Sequence, residues 1–289
     1  MKERPTLNLR DVRRRSDSAA ESFDSADFVH AVTRDGLFER LRPVVLEAAR
    51  IVDLGSATGS ATAPLRKRFG GAHILSLDLS RNMLKQAQRK RAWLSLSRPS
   101  FIQADASRLP LQDHSIDMVF ANLLLPFIDQ PAAVFKEVAR VLRKGGIFAF
   151  STLGPDSLKE IRRAWSQVDG DVHVHQFLDM HDIGDALVSS GLSEPVLDVD
   201  RLQIHYENPA RLFDDLGNVG ARNTLQQRRS SLTGKQRFAQ MRAALAADSA
   251  DGKIKLDLEL VYGHCWGGGR RMEPGSYTIA ASQIGRRQR

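Results

Sequence analysis

The sequence predicts a doubly wound α/β domain, and three observations predict it. Between about residues 36 and 152, apolar segments alternate between a period of two and a period of about 3.6, in the order of repeated βα units. A short apolar strand at 51–54 runs straight into the glycine-containing turn Gly55-Ser56-Ala57-Thr58-Gly59. Acidic or amide residues then recur at the ends of successive strands: Asp78, Asp105, Asn122. Repeated βα units imply a mostly parallel sheet with helices on both faces.

The elements follow in order. Leu37, Leu41, Val44, Val45 and Ala48 mark a helical stripe leading into the strand at 51–54. A second strand spans 73–78, and Ser80 is placed to cap the helix after it. Strands at 101–104 and 116–121 come next, then a helix at 132–142 that Lys144-Gly145-Gly146 should terminate, then a strand at 147–151. Beyond residue 152 the pattern changes. Helices at about 156–169 and 181–190 precede β-rich runs at 196–200 and 202–206, and a last β-rich run covers 256–264. The stretch 207–252 reads as helices (210–216 and 235–247) and loops. The expected organisation is a basic N-terminal segment at 1–35 that covers the cofactor, a core domain at 36–206 plus 253–289 completed by late antiparallel strands, and a helical substrate lid inserted at 207–252.

At 289 residues the chain can bury a full core, and its single cysteine, Cys265, excludes an intrachain disulfide. The polar N-terminus has no apolar run after its basic residues, which argues against a secretory leader. Glu3, Asp11, Asp17 and Glu21 argue against a transit peptide. No apolar run is long enough for a membrane span, so cytoplasm is the expected location. The formal charge of +8 points to an acidic partner. Its excess is local: Arg10, Arg13, Arg14 and Arg15; then Lys67, Arg68, Arg81, Lys85, Arg89, Lys90 and Arg91; then Arg286, Arg287 and Arg289. Solvated faces and frayed ends are the competing reading of these runs. No nucleic-acid motif accompanies them, so no nucleic-acid partner is expected.

Glycine in the turn after the first strand lets backbone approach a ligand, and the helix start beyond it presents free N–H groups. The spacing is not the full dinucleotide fingerprint, because Ala57 stands where a second glycine would fall. Asp78 can accept hydrogen bonds from two ribose hydroxyls. Asp105 can reach an adenine amino group, with Asp117 and Asn122 flanking the fourth strand. Each acid alone would pass as a turn residue; together they make a nucleoside site. The candidate cofactor set is Asp53, Gly55, Ser56, Ala57, Gly59, Asp78, Leu79, Asp105, Ala106 and Asn122.

These residues resemble the motifs of class I S-adenosylmethionine methyltransferases: VDLGSATG the first motif, LDLS the acidic second, ADASRLPL the adenine motif, LRKGG the turn before the fifth strand. The resemblance implies a Rossmann-like fold, S-adenosyl-L-methionine as cofactor and S-adenosylhomocysteine as product. Further on, FSTLGPDSLKEIRRAW, HVHQFLDMHDIGDALVSSG and LFDDLGNVGARNT resemble the malonyl-acyl-carrier-protein O-methyltransferases of biotin synthesis. That implies a partner, acyl carrier protein bearing a malonyl group, and methylation of its free carboxylate. The same passages are similar to a mitochondrial complex I assembly factor that hydroxylates an arginine, which is the alternative reading.

Carboxyl methylation asks little of side chains. A malonyl carboxylate is ionised at neutral pH and can attack the sulfonium methyl without a general base, so no catalytic residue is assigned. A cation could orient it, and Arg222 is the candidate, against the competing reading of a solvated helix-end arginine. Tyr206, His181 and Asn122 could shape the substrate pocket. His173, His175 and His181 with Asp179 and Asp182 lack a clear metal-ligand pattern, so no metal is expected. GNVG is not a nucleophile elbow, and Gly267 to Arg271 reads as a flexible loop. Oligomeric state is not legible.

Overall fold

The structure is a computed structural model that describes residues 6–90, 99–229, 233–247 and 253–268. Arg91, the 269–271 part of the expected loop, the C-terminal arginines and the 269–289 end of the expected core domain lie outside the described residues.

Strands β1 (Arg50–Leu54), β2 (His73–Asp78), β3 (Ser100–Gln103), β4 (Ile116–Asn122), β5 (Leu142–Leu153), β6 (Ser193–Tyr206) and β7 (Ile254–Trp266) form one sheet in the order β3-β2-β1-β4-β5-β7-β6. The first five are parallel; β7 runs antiparallel to both β5 and β6. The helices are α1 (Leu9–Ala19), α2 (Phe28–Arg40), α3 (Thr62–Arg68), α4 (Arg81–Arg89), α5 (Pro131–Val141), α6 (Lys159–Ser166), α7 (Met180–Ser189), α8 (Pro209–Asn218) and α9 (Lys235–Ala247). Several starts are dictated locally. Ser80 accepts from Met83 N–H to cap α4, Asn208 accepts from Arg211 N–H to cap α8, and Pro131 and Pro209 sit in first turns that have no use for their missing N–H.

Alternation along the strands sorts the core into two layers. Val52, Val119, Phe148 and Phe150 face Phe135 and Val138 of α5 and Leu187 of α7, whereas Ile51, Met118, Phe120 and Ile147 face Leu37, Leu41 and Leu65. Each such side chain contributes about 1.5–3 kcal/mol on burial. A third cluster joins Ile161 and Trp165 of α6 to Leu212 of α8, Met241 and Leu245 of α9, and Tyr206 and Leu256 of the ribbon formed by β6 and β7.

Three expectations change. The stripe from Leu37 to Ala48 is not one helix: α2 ends at Arg40, because Pro43 disfavours helical backbone at the residue before it, and Val45 is exposed. The Lys144-Gly145-Gly146 turn does not end α5, which stops at Val141. Those residues bulge within β5, where pairing with β4 jumps from Ile116↔Leu142 to Met118↔Ile147. The β-rich runs at 196–200 and 202–206 are one strand. The polar residue between them, Arg201, stays in the strand and pairs with Asp156 at 2.9 Å, while Asp198 and Asp200 just before it meet Arg40 at 2.6 and 2.8 Å.

Candidate functional site

In an open α/β sheet, ligands bind beyond the carboxyl ends of the strands where the strand order reverses, which here is between β1 and β4. A cleft lies there. Its walls are Gly55 and Ala57 after β1, Asp78 and Leu79 after β2, Ala104, Asp105 and Ala106 after β3, and Asn122, Leu123 and Leu124 after β4. Leu9, Val12 and Ser16 of α1 also line it, with Phe23 and His30. Gly55 has φ +73°, and a Cβ on it would lie 2.9 Å from Leu124 Cδ1, so both torsion and space call for glycine. Ala57, at φ +45°, is held by its N–H donating to Asp78 Oδ2 at 2.9 Å, while Asp78 Oδ1 accepts from Ser80 N–H at 2.7 Å. Asp105 Oδ1 accepts from Ser107 N–H and Oγ, both at 2.8 Å. Asn122 donates to the His30 carbonyl at 2.9 Å and accepts from Ser151 Oγ at 2.7 Å. Leu123 adopts φ +53°, a strain of about 1–3 kcal/mol, and is pinned by N–H bonds to Ser151 O and Oγ.

Electrostatics single out two carboxylates. Burial, then the charge of Asp78, pushes the pKa of Asp53 up to about 7, against the opposing charge of Arg34. Burial pushes Asp78 to about 6, with the N–H groups of Ser80 and Ala57 pulling the other way. Asp53 Oδ2 and Ser56 Oγ are buried without a hydrogen-bond partner. Two uncommitted polar atoms and two costly carboxylates fit a cationic nucleoside ligand, which would favour the ionised forms. S-adenosylmethionine is such a ligand, and Asp78, Asp105 and the Gly55 turn are the residues that would hold it. Asp53 and Ser56 do not line the cleft, whereas Asp78 does. Because the ligand selects the ionised Asp78, its affinity should fall as pH drops through about 6, by up to about tenfold per pH unit. Calorimetric titration at pH 8, 7, 6 and 5 measures this, and a flat profile would remove Asp78 from the site.

A second cavity of about 760 Å³ adjoins the first. Its walls are apolar, including Leu158, Ile161, Trp165, Phe213, Phe238 and Leu258. His30, Leu123, Phe127 and Val219 line both cavities and so form their junction. Tyr206 and Arg222 line the larger one. Burial and the neighbouring Asp215 push the Tyr206 hydroxyl up to about 12, so it stays protonated. Arg222 is exposed, its guanidinium lying over Gly217.

Other candidates fall elsewhere. His181 lines neither cavity; it sits in the first turn of α7, its N–H donating to the capping carboxylate of Asp179, with its side chain 81% exposed and Nδ1 2.7 Å from the same carboxylate. Gly59, at φ +77°, serves packing, since a Cβ there would meet Ala87 of α4 at 2.9 Å. Asp117 is at the opposite end of β4, accepting from Ala49 and Arg50 N–H at 2.7 and 2.8 Å and pairing with Arg143. His175 is a fixed neutral ring: burial lowers its pKa, its Nδ1–H donates to Pro126 O and its Nε2 accepts from Thr224 N–H. Asp169, Asp171 and His173 bring ligand atoms within 4.8 Å of one another, with His173 bonded to Asp169 and stacked on Trp165 at 3.7 Å. The sequence reading missed His30, Phe23 and the apolar face of α1. The spacing of Leu9, Val12 and Ser16 carried that last signal, under a basic charge run that drew the eye.

Comparison with known proteins agrees with this geometry. Residues 52–150 match a family model described as a methyltransferase domain. The malonyl-[acyl-carrier protein] O-methyltransferase of Laribacter hongkongensis (strain HLHK9) is 39% identical over 261 residues, covering 88% of each chain. Its counterpart in Halorhodospira halophila (strain DSM 244 / SL1) is 36% identical over 290 residues and covers 98% of each. Among solved structures, Haemonchus contortus phosphoethanolamine N-methyltransferase 2, in complex with S-adenosyl-L-methionine, superposes with a TM-score of 0.57 at 15% identity, over 90% of this chain and 60% of that one. Such low identity speaks for the fold alone, but the two bacterial relatives speak for more: this chain belongs to the malonyl-[acyl-carrier protein] O-methyltransferase family, whose cofactor is S-adenosylmethionine.

Proposed function

We propose that the protein methylates the free carboxylate of malonyl-acyl-carrier protein, giving the methyl ester used in biotin synthesis. One observation carries the reading: a cleft into which Asp78, Asp105 and Asn122 bring their polar groups and a large apolar chamber meet at a four-residue junction, so that a methyl donor and an acyl thioester can approach end to end. S-adenosylmethionine supplies the electrophilic methyl. Asp78 and Asp105 hold the nucleoside, the Gly55 turn admits its backbone-facing edge, and Leu123 and Phe127 keep water from the junction. The substrate carboxylate needs no base, because it is already ionised. The work left to the chain is alignment and desolvation.

On this reading α1 covers the cofactor and the 207–252 segment covers the substrate. The mouth of the chamber carries exposed Arg222, Lys235 and Arg242 against one exposed acid, Asp214. This basic rim suits the acidic helix of a carrier protein, and the cytoplasm is where such carriers and S-adenosylmethionine meet. Arg162 does not serve this role, since it is half-buried and donates to the carbonyls of Ser157 and His175. The apparent affinity for the carrier should fall several-fold between about 50 and 500 mM salt, as screening shortens the reach of the rim; surface plasmon resonance reads it, and salt-independent binding would count against the rim. The relatives' name weighs against the arginine-hydroxylase alternative.

The function itself is tested by transfer of a labelled methyl group from S-adenosylmethionine, with malonyl-carrier, malonyl-coenzyme A and a monocarboxylic acyl-carrier as acceptors. Base-labile label on the malonyl carrier alone, or chiefly there, is the expected result. Cofactor binding without any labelling would defeat the reading.

A further inference from the structure

His30 stands at the one place that both cavities share. It is in the first turn of α2, and the helix is tied there to the cofactor cleft, because Asn122 donates to the His30 carbonyl. The ring rests against Phe23 at 4.9 Å. Its Nδ1 is buried with no hydrogen-bond partner, and its Nε2 makes no hydrogen bond to any described residue. A ring nitrogen buried without a partner is a cost that persists where a ligand is to be met, and the rest of the ring is only partly buried and faces the two cavities. Arg34 lies one helical turn along α2. Its side chain is only 17% exposed, it pairs with the far more exposed Asp35 at 3.3 Å, and its charge reaches both His30 and Asp53.

We propose that His30, backed by the charge of Arg34, receives and orients the free carboxylate of the acyl substrate against the methyl donor. The inference rests on the carboxyl-methylation reading above and adds the residue that reading lacked. One carboxylate oxygen accepts from the imidazole N–H; the other keeps its lone pairs for the methyl carbon. An O–CH₃ bond forms, the CH₃–S bond breaks with its electron pair returning to sulfur, and no proton is transferred. A neutral donor suits this step. Burial, then Arg34, lowers the pKa of His30 to about 4, so the ring can hold a carboxylate without protonating it or fully neutralising its charge. Arg34, one turn away, supplies the long-range attraction that brings an anion into an apolar chamber. Arg222, exposed at the chamber mouth, is left to meet the carrier.

Three variants test the assignment: His30→Leu, which removes the donor; His30→Gln, which restores an N–H near the place of Nε2; and His30→Asn, whose shorter amide does not reach there. The readouts are kcat and KM on malonyl-carrier, the Kd for S-adenosylmethionine and the melting temperature. His30→Leu and His30→Asn should lose about 100-fold in kcat, and His30→Gln should recover to within about tenfold of wild type. All three should lose far less in S-adenosylmethionine affinity than in kcat, since Asp78 and Asp105, which hold the nucleoside, are untouched. Wild-type activity with an equally active His30→Leu would overturn the proposal. So would a Gln variant no better than Asn, or losses that track the melting temperature or the cofactor Kd. Wild type that methylates no malonyl thioester would defeat the underlying reading and this proposal with it, a result distinct from the others.

Discussion

Asp78→Ala should weaken S-adenosylmethionine binding by at least about 100-fold. A carboxylate that accepts two ribose hydroxyls makes two charge-assisted hydrogen bonds, each about 1.5–3 kcal/mol, so their joint loss is about 3–6 kcal/mol. The residue also shapes the turn it faces, since Ala57 N–H donates to it at 2.9 Å while Ala57 holds φ +45°. Without that acceptor Ala57 loses its own tether, and the turn is left to the bonds from Gly55 and Ser56 N–H to Leu77 O and from Gly59 N–H to Ser56 O. Opposing this, Asp78 is costly when the cleft is empty. Its folded pKa is raised to about 6, so the contribution it makes to stability is fully present only at low pH and is lost as pH rises through that value. The variant should therefore lose far more affinity than melting temperature. Asp78→Asn, which keeps the size and one acceptor, should fall between. Isothermal titration with S-adenosylmethionine separates the cases, and unchanged affinity in Asp78→Ala would remove the residue from the site.

Gly263→Ala should destabilise the protein by about 2–3 kcal/mol. Gly263 lies mid-strand in β7, opposite Phe150 of β5 and Leu197 of β6. A Cβ there would stand 2.4 Å from Phe150 Cζ and 2.6 Å from Leu197 Cδ2. Phe150 cannot readily retreat, because it stacks on Phe148 at 4.9 Å and packs against Phe135 at 6.3 Å. The added methyl must shift an aromatic cluster or the sheet itself. The melting temperature should fall by several degrees, about 2–4 °C for each kcal/mol in a domain of this size. A variant that melts with the wild type would show that the Phe150 cluster has slack.

Much of the parallel half of the sheet was legible because its residues alternate. Ile51 and Val52, Met118 and Val119, Ile147 and Phe148 point to opposite layers, and that period survives any tertiary context. The cofactor cleft was legible for the same reason: Gly55, Asp78, Asp105 and Asn122 follow strands and so arrive at one edge. Asp117 was misplaced because its position two residues into β4 puts it at the far end, where Ala49 and Arg50 need an acceptor. The chamber was harder to read. Its walls come from α2, α6, α8, α9 and the end of the β6–β7 ribbon, and no local pattern tells which helices will enclose a cavity rather than fill a core. Tyr206 and Arg222, picked out through the resemblance, both line the chamber. His181 was misjudged through the same resemblance, because an exposed N-terminal position on α7 looks like any other histidine in sequence. His30 gave no signal: its meaning lies in the place of its ring between two cavities, which only the folded chain defines.

The last cross-strand pair of the ribbon, Tyr206↔Ile254, closes the neck of the long excursion that carries α8 and α9. The closure entropy of that excursion is met by a ladder of β6–β7 bonds that would exist whatever lay between. The chain is in effect one scaffold with a cassette spliced into a hairpin. A change in the length of that cassette need not shift the register of any strand. It would alter the wall of the chamber that α8 and α9 supply and leave the β3-β2-β1-β4 edge, with its cleft, where it is.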